Sequence, residues 1–197
     1  MKRSSTIVAG LIVAAFGVLQ YSHDASGQAA SGWTVLFDGK DLSAFNPVGD
    51  ANWTIVDGAV QADKGTGFLV TKASYENFEI KAEFWVDDAA NSGIFIRCEN
   101  PQQITATNAY EVNIYDKRPD PAYRTGGIVD VAKPQSVINT GGKWNTYEIT
   151  ARGARMIVTL NGMRMVDVEH TAHKRGPLAL QYGAGIVKFR NVQIRPL

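Results

Sequence analysis

The sequence predicts an all-β protein in which two antiparallel sheets form a sandwich or jelly roll. Short segments of alternating apolar and polar side chains recur along the chain. Asp-Gly and Asn-Gly pairs, which favour tight β-hairpins, separate several of these segments. No segment shows the convincing periodicity of an amphipathic helix. Roughly a dozen strands without an internal repeat indicate one domain.

The first 30 residues have the pattern of a secretory signal. Lys2 and Arg3 form a basic start, residues 6–19 are an apolar run, and residues 26–31 are small or polar. The apolar run is shorter than the ~20 residues that span a bilayer, with an uncleaved anchor as the alternative. No later segment is apolar enough to span a membrane. We therefore expect an exported protein, periplasmic or extracellular, whose folded domain covers residues 31–197.

The composition argues against several classes of partner. The chain has 20 Lys and Arg residues and 19 Asp and Glu residues, a net charge of +1 at pH 7. Without a basic field to attract it, nucleic acid is not an expected partner. Cys98 is the single cysteine, so it cannot form an internal disulfide. We expect it to be a small buried hydrophobe rather than a reactive thiol.

In chain order, recognisable turns separate the predicted strands. Residues 32–37 open the domain, and Asp57-Gly58 and Asn161-Gly162 are each predicted to close a hairpin. The predicted strands are 52–56, 59–62, 68–71, 78–86, 94–98, 110–115, 128–131, 144–151, 156–160, 163–168, 178–182 and 187–194. The strand at 78–86 alternates most regularly, which is typical of a sheet with one buried face.

Residues 117–142 follow a looser pattern. Three prolines and the pair Gly126-Gly127 indicate a long ordered loop around the short strand at 128–131. Long loops in compact domains are often functional, so we expect this loop to contribute to a site.

Residues 91–116 contain two predicted strands with contrasting faces. The aliphatic faces carry Ile94, Ile96, Cys98, Val112 and Ile114, and the opposite faces carry Arg97, Glu111, Asn113 and Tyr115. If the strands are neighbours, the second set forms a polar and aromatic patch suited to sugar binding; an ordinary solvated sheet face is the alternative. Arg97 would offer a planar donor fork to a ligand, or instead pair with Glu99 or Glu111.

Other candidate groups carry weaker signals. Glu83, Glu111 and Asp116 fall in or beside strands, and a pair of carboxylates is what glycoside hydrolysis normally uses. His170 and His173 have a spacing that zinc sites use on helices, but their position after a hairpin favours a solvated loop. The sequence contains no EF-hand, phosphate-binding glycine loop, serine-nucleophile elbow or CxxC motif.

A set of short blocks carries a family resemblance across nearly the whole domain. The blocks are residues 32–42, 53–58, 75–79, 83–84, 91–97, 110–116, 125–126, 142–145, 161–162, 176–181 and 189–192. Their order and spacing resemble the 3-keto-disaccharide hydrolase domain family, and the block at 91–97 is the most specific. The resemblance implies a concanavalin A-like jelly roll of two antiparallel sheets, with a saccharide as the partner.

The family's activity implies cleavage of glycosidic bonds in disaccharides oxidised at C3. The ketone acidifies the hydrogen on C2, a base removes it, the C1 substituent leaves, and water adds afterwards. By matching position, Glu111 is the candidate base or acid, and Arg97 the group that stabilises the developing oxyanion or holds the sugar. The resemblance makes the candidate substrate-binding residues Glu83, Trp85, Asn113, Tyr115, Asp116 and Gln181, with Trp85 and Tyr115 stacking on a sugar ring.

Two departures from the family pattern keep other functions open. Many members have a His soon after the Leu-Gln pair, whereas this chain continues from Gln181 with Tyr182 and Gly183. The second Trp of the opening block is Phe45. Because this His is missing, we assign no cofactor, and a divalent metal is kept as an alternative. A non-catalytic carbohydrate-binding module and an envelope structural protein are the alternatives to a hydrolase or lyase.

Overall fold

A computed structural model describes residue 1 and residues 32–197 of the chain, and the expected signal over residues 1–30 therefore lies almost wholly outside the described residues. The described part is all-β apart from one turn of 3-10 helix at Pro121–Tyr123. Its strands are β1 Thr34–Phe37, β2 Phe45–Gly49, β3 Thr54–Val56, β4 Ala59–Ala62, β5 Gly67–Tyr75, β6 Phe78–Val86, β7 Asn91–Ile96, β8 Tyr110–Ile114, β9 Trp144–Arg152, β10 Arg155–Leu160, β11 Met163–Glu169, β12 Gly176–Ala184 and β13 Val187–Pro196. In this part of the chain, no helix has the length and hydropathy to cross a membrane.

The strands form two antiparallel sheets, as the sequence predicts. The larger sheet has the order β11-β10-β9-β6-β13-β4-β3, with β1 also paired to β13. The five-stranded sheet has the order β2-β5-β12-β7-β8. Because neighbours such as β12 and β7 are far apart in sequence, the five-stranded sheet brings distant side chains into one surface.

The hydrophobic core lies between the two sheets. In β6, Phe78, Ile80, Ala82, Phe84 and Val86 are buried, and the residues between them are half-buried. The inward residues of the five-stranded sheet belong to the same core cluster, among them Ile94, Val112 and Leu180. The predicted alternation is therefore confirmed, since apolar side chains point inwards and polar ones outwards.

Both predicted hairpin turns are confirmed. Asp57 and Gly58 have φ angles of 50° and 73°, and Asn161 and Gly162 have φ angles of 51° and 81°. A type I′ turn requires positive φ at both central residues, which is why Asn-Gly and Asp-Gly are good indicators.

One strand of the structure was not predicted, and one predicted strand does not form. No strand was predicted at β2, which pairs only with β5, is largely exposed and contains Pro47. An edge strand needs no regular alternation and tolerates proline, so its signal in the sequence is weak. The strand predicted at 128–131 is reduced to Ile128, which forms isolated bridges with Val112 and Ala132.

The end of β7 differs in a way that matters for the site. The strand was predicted over 94–98 but ends at Ile96, and Arg97 has a φ of 55°. This left-handed residue interrupts the alternation, so Cys98 packs with Phe95 and Val70 in a second cluster. Cys98 is buried as expected, but the prediction that it shares a face with Ile94 is wrong.

Candidate functional site

The outward face of the five-stranded sheet carries a row of residues aligned across four strands. Gln181 on β12 pairs with Phe68 on β5 and with Gly93 on β7, and Gly93 pairs with Asn113 on β8. Directly paired residues point to the same face of a sheet, so these four form one line, here called the outer row. Glu111 lies two residues before Asn113 on β8, on the same face of the sheet, and pairs with Phe95.

Glu111 and Gln181 converge over Gly93. A Cβ atom added to Gly93 would lie 3.3 Å from Glu111 Cγ and 3.5 Å from Gln181 Oε1. The glycine therefore leaves a gap between a carboxylate and an amide that come from different strands. The structure brings together three of the predicted site residues here: Glu111, Asn113 and Gln181.

Glu111 is half-buried, and its surroundings tune its acidity. Burial raises the pKa of the Glu111 carboxyl to about 7, with Arg118 lowering it and Asp130 raising it to smaller extents. A carboxyl with a pKa near neutrality can both accept and return a proton at physiological pH. This is the property expected of a general acid or base.

The long loop after β8 supplies the charged surroundings of Glu111. The Arg118 guanidinium lies 5.6 Å from the ring centroids of both Tyr115 and Tyr123. The Tyr123 hydroxyl donates a 2.8 Å hydrogen bond to Asp130. The sequence predicts an ordered loop but does not single out Arg118, Tyr123 and Asp130. Only the fold brings the charges of Arg118 and Asp130 within reach of Glu111, with Tyr123 in contact with both.

A groove of about 490 Å³ opens beside Gln181 on the same face. Its lining includes four amide side chains and two aromatic residues: Asn91, Gln102, Gln103, Gln181, Phe68 and Tyr182. Amides present both donors and acceptors to hydroxyl groups, and an aromatic ring can pack against a sugar ring. The groove therefore has the chemistry of a saccharide-binding surface.

Arg97 lies elsewhere, and the prediction that it shares a patch with Glu111 is wrong. Its side chain is 1% exposed, and its guanidinium donates hydrogen bonds of 2.7 to 3.2 Å to the carbonyl oxygens of Glu76, Gly153 and His173. These carbonyls come from turns and loops of both sheets, so Arg97 ties the sandwich together at one end.

The predicted alternatives for Arg97 were ion pairs with Glu99 or Glu111. Among the salt bridges of the described residues, neither occurs, and Glu99 Oε1 instead lies 3.1 Å from His173 Nδ1. Burial lowers the pKa of Arg97, but backbone carbonyls solvate its charge in place of water.

Asp116 and Tyr115 have structural contacts near the site. The Asp116 carboxylate accepts hydrogen bonds of 2.5 to 3.0 Å from the Thr125 hydroxyl, the Thr140 hydroxyl and backbone N–H, and the Gly141 N–H. Asp116 thus joins the two ends of the long loop. The Tyr115 ring supports Arg118, while its backbone N–H donates to Thr125 Oγ1.

Glu83 and Trp85 lie on the opposite outer face of the sandwich and are not part of the Glu111 site. Glu83 accepts hydrogen bonds from Arg190 and Asn191 at 2.8 and 2.7 Å. Burial alone would raise the pKa of Glu83, but these hydrogen bonds outweigh it and lower the pKa. Lys188 Nζ lies 4.9 Å from the Trp85 ring centroid.

A larger groove of about 740 Å³ lies on that opposite face and includes Glu83. Its other acidic residue within the sheet, Glu148, is 2.9 Å from Lys81 Nζ. These carboxylates are neutralised by basic partners, so the groove lacks a group poised for proton transfer. We therefore place the candidate site at Glu111, although the groove beside its neighbour Gln181 is smaller.

The two histidines pack around Tyr110 instead of forming a solvated pair. His170 Nδ1 lies 3.1 Å from the Tyr110 hydroxyl, which also accepts the backbone N–H of His173. His173 is buried, so the expectation of a fully solvated loop is wrong for this residue. Over residues 32–197, His, Cys, Asp and Glu side chains form no group of three that could hold a metal ion, and we derive no step through one.

Comparison with known structures places the fold among carbohydrate-active proteins. Two candidate glycosyl hydrolases from Parabacteroides distasonis ATCC 8503 superpose with TM-scores of 0.76 and 0.73 at 22% and 26% identity. The alignments cover 85% and 84% of this chain and 95% and 99% of those chains. The carbohydrate-binding module CBM66 of Bacillus subtilis has the same fold, with a TM-score of 0.60, 17% identity, and coverage of 83% of this chain and 95% of that one. The class is a β-sandwich protein with the fold that these glycosyl hydrolases and this carbohydrate-binding module share.

The family follows from the sequence. The family described as 3-keto-alpha-glucoside-1,2-lyase-like domain matches residues 32–195, and the chain belongs to this family. The predicted resemblance is therefore confirmed. A curated relative, the 3-keto-disaccharide hydrolase of Bacteroides thetaiotaomicron (strain ATCC 29148), is 32% identical over 79 residues. That match covers 34% of this chain and spans about a quarter of the relative's length, 27%.

Proposed function

We propose that the protein cleaves glycosidic bonds of sugars oxidised at C3, with Glu111 as the group that transfers the proton. One observation carries the proposal: a half-buried carboxyl with a pKa of about 7 faces a gap over Gly93 that Gln181 closes on the other side. Family membership and the name of the curated relative support the choice of substrate.

The chemistry begins with the ketone, which makes the hydrogen on C2 acidic. The Glu111 carboxylate accepts that proton, and the electron pair of the broken C–H bond becomes part of an enolate on C2, C3 and the C3 oxygen. The enolate then collapses to restore the ketone and form a C1–C2 double bond. The C1–O bond breaks, and the leaving oxygen takes a proton. Water then adds across the double bond, with hydroxyl going to C1 and hydrogen to C2.

The enolate carries negative charge that a nearby cation would stabilise. Arg97 was the sequence candidate, but its guanidinium is occupied by three carbonyl oxygens. Arg118 is exposed, is held against two tyrosine rings, and lies near enough to influence Glu111. In the proposed mechanism Arg118 takes the electrostatic role first assigned to Arg97, because a preformed positive charge stabilises the anion without reorganisation.

The test is turnover of a 3-keto-glucoside by the purified protein, compared with Glu111→Gln and a matched control. Removing a general base costs about 10²- to 10⁴-fold in rate, so we expect at least about 100-fold loss in Glu111→Gln. Glu83→Gln is the control, because Glu83 also points outward from a strand but lies on the opposite sheet. We expect it to keep turnover within about two-fold, within the range of a surface change. Full turnover by a folded Glu111→Gln would overturn the assignment of the residue.

A non-catalytic carbohydrate-binding module is the second candidate function. The groove lined by four amides favours it, since such a surface binds hydroxyls without needing chemistry. Saturable binding of a glycoside by calorimetry without turnover of any 3-keto substrate would favour this function. If the protein neither binds nor cleaves any glycan of a broad panel, a structural role in the envelope is favoured instead.

Export to the periplasm or the extracellular space is also part of the proposal. It is supported by the basic start, the apolar run and the small residues that follow within the first 31 residues. Cell fractionation combined with N-terminal sequencing of the purified protein tests it. A chain recovered from the cytoplasm with its first residues intact would contradict it.

A further inference from the structure

Gly93 occupies a position where the backbone does not require glycine. Eleven glycines of residues 32–197 have positive φ angles, but Gly93 is not one of them. It lies inside β7, a central strand of the five-stranded sheet. Glycine weakens a strand interior and often marks a place where a ligand or another chain approaches closely. The surroundings of Gly93, and not its backbone conformation, therefore explain why a glycine occupies this position.

That space is narrow and lies between two functional groups. Besides Glu111 Cγ at 3.3 Å and Gln181 Oε1 at 3.5 Å, an added Cβ would meet the Val112 carbonyl oxygen at 3.2 Å. These separations are tight, but the side chain of Glu111 can shift slightly. A methyl group at position 93 would fill the gap that a ligand would use, and it would press against the Val112 carbonyl oxygen, which belongs to the backbone and moves less readily than a side chain.

Two hydrogen-bond acceptors along the outer row have no partner. Gln181 Oε1 and Asn113 Oδ1 are both buried, and neither accepts a hydrogen bond from any of residues 32–197. Asn113 is 2% exposed, and its amide nitrogen donates to the Tyr123 carbonyl oxygen, which fixes the orientation of Oδ1. Buried acceptors are normally satisfied, so this part of the site is prepared for a molecule that brings donors.

We infer that Gly93 is a specificity-determining residue, the floor of a slot that admits a sugar ring edge and reads its C2 hydroxyl. The C2 hydroxyl donates to Gln181 Oε1, Asn113 Oδ1 receives a neighbouring donor, and the C2 hydrogen faces Glu111. Because Gln181 Oε1 and Asn113 Oδ1 both lack donors, the slot favours a ring edge that carries hydroxyl groups. The inference rests on the proposed function, since it specifies how the substrate sits in the same site.

The experiment compares Gly93→Ala and Gln181→Met with the wild type on two ligands. The ligands are a 3-keto-glucoside and its 2-deoxy analogue, which lacks the hydroxyl that the slot reads. Turnover is measured together with calorimetric binding of methyl glucoside and methyl 2-deoxyglucoside, so that the slot can be judged without catalysis. Gln193→Met is the matched control, because Gln193 is half-buried on the opposite sheet.

We expect the wild type to prefer the 2-hydroxy ligand by at least about ten-fold, as a site built to bond a hydroxyl does. Gly93→Ala should lose at least about ten-fold in kcat/KM and in affinity, because its methyl group occupies the slot. Gln181→Met should lose the preference between the two ligands, whereas Gln193→Met should keep it. If Gly93→Ala fails to fold, the Gln181→Met result still decides the question.

The outcomes separate this inference from the proposed function. Wild-type turnover that depends on Glu111 but does not change in Gly93→Ala or Gln181→Met would overturn the slot alone. Turnover that persists in Glu111→Gln while Gly93→Ala loses affinity would overturn the proton-transfer role alone. A wild type that neither binds nor cleaves any of these ligands would overturn both.

Discussion

The raised pKa of Glu111 predicts a specific dependence of stability on pH. In the unfolded chain this carboxyl ionises near 4.5, whereas in the folded protein it ionises near 7. As pH rises from about 4 to 8, the unfolded chain releases the Glu111 proton first, so ionisation progressively destabilises the folded state. This penalty is absent below the unfolded pKa and complete above the folded one.

The size of the penalty follows from the difference between the two pKa values. One pKa unit corresponds to about 1.4 kcal/mol, so the Glu111 carboxyl destabilises the fold by up to about 3 kcal/mol at pH 8. Partial exposure of the side chain reduces the observed value, and we expect between about 1 and 3 kcal/mol. Glu111→Gln removes the ionisable group and therefore the penalty, while the other titrating groups stay the same in both proteins.

The assay is urea unfolding of wild type and Glu111→Gln at pH 4 and pH 8. The difference in the free energy of unfolding should move in favour of the variant between the two pH values. Glu83→Gln should move in the opposite direction, because hydrogen bonds lower the pKa of Glu83 and its ionised form stabilises the fold above its unfolded pKa. A difference for Glu111→Gln that stays constant from pH 4 to pH 8 would refute the reasoning about its burial.

Three further predictions follow from contacts outside the slot. Arg97→Met should lower the free energy of unfolding by about 3–5 kcal/mol, because it leaves three carbonyls without their charged donor. Turnover per folded molecule should stay unchanged, and a large loss of turnover would instead indicate that Arg97 takes part in the site. Asp116→Ala should lower the free energy of unfolding by about 2–4 kcal/mol and speed hydrogen exchange in residues 117–142, since four hydrogen bonds to Asp116 join the ends of this loop. Unchanged hydrogen exchange in the variant would contradict this role. Burial raises the pKa of the Cys98 thiol to about 12, so a thiol reagent should react with it only after denaturation, and rapid labelling of the native protein would contradict this.

The strand pattern could be predicted from sequence because local chemistry encodes it. Alternation in β6 and the turn residues Asn161-Gly162 act over a few residues, so the sequence carries their signal directly. The edge strand β2 was missed for the same reason, since it has one partner, is largely exposed and contains proline. Glu111 was predicted as a candidate from its outward position on a strand and from the family resemblance.

The position of Arg97 shows where local reasoning failed. Alternation along β7 predicts that Arg97 faces the same way as Phe95, beside Glu111. A single left-handed residue reverses that direction, and Arg97 instead meets carbonyls that lie 21, 56 and 76 residues away in the chain. Nothing within a few residues of Arg97 signals these partners, because they are brought together only by packing of the two sheets.

By itself the sequence determined the all-β class, the hairpins, the family and the candidate carboxylate, because each depends on local periodicity, turn chemistry or a block of adjacent residues. Only the tertiary structure decided which polar groups meet. The strand order places Gln181 and Glu111 on either side of Gly93, although they are 70 residues apart, and the long loop brings Arg118 to the same carboxylate. Burial then sets the acidity of Glu111, and burial is a property of the packed sheets and not of any segment alone.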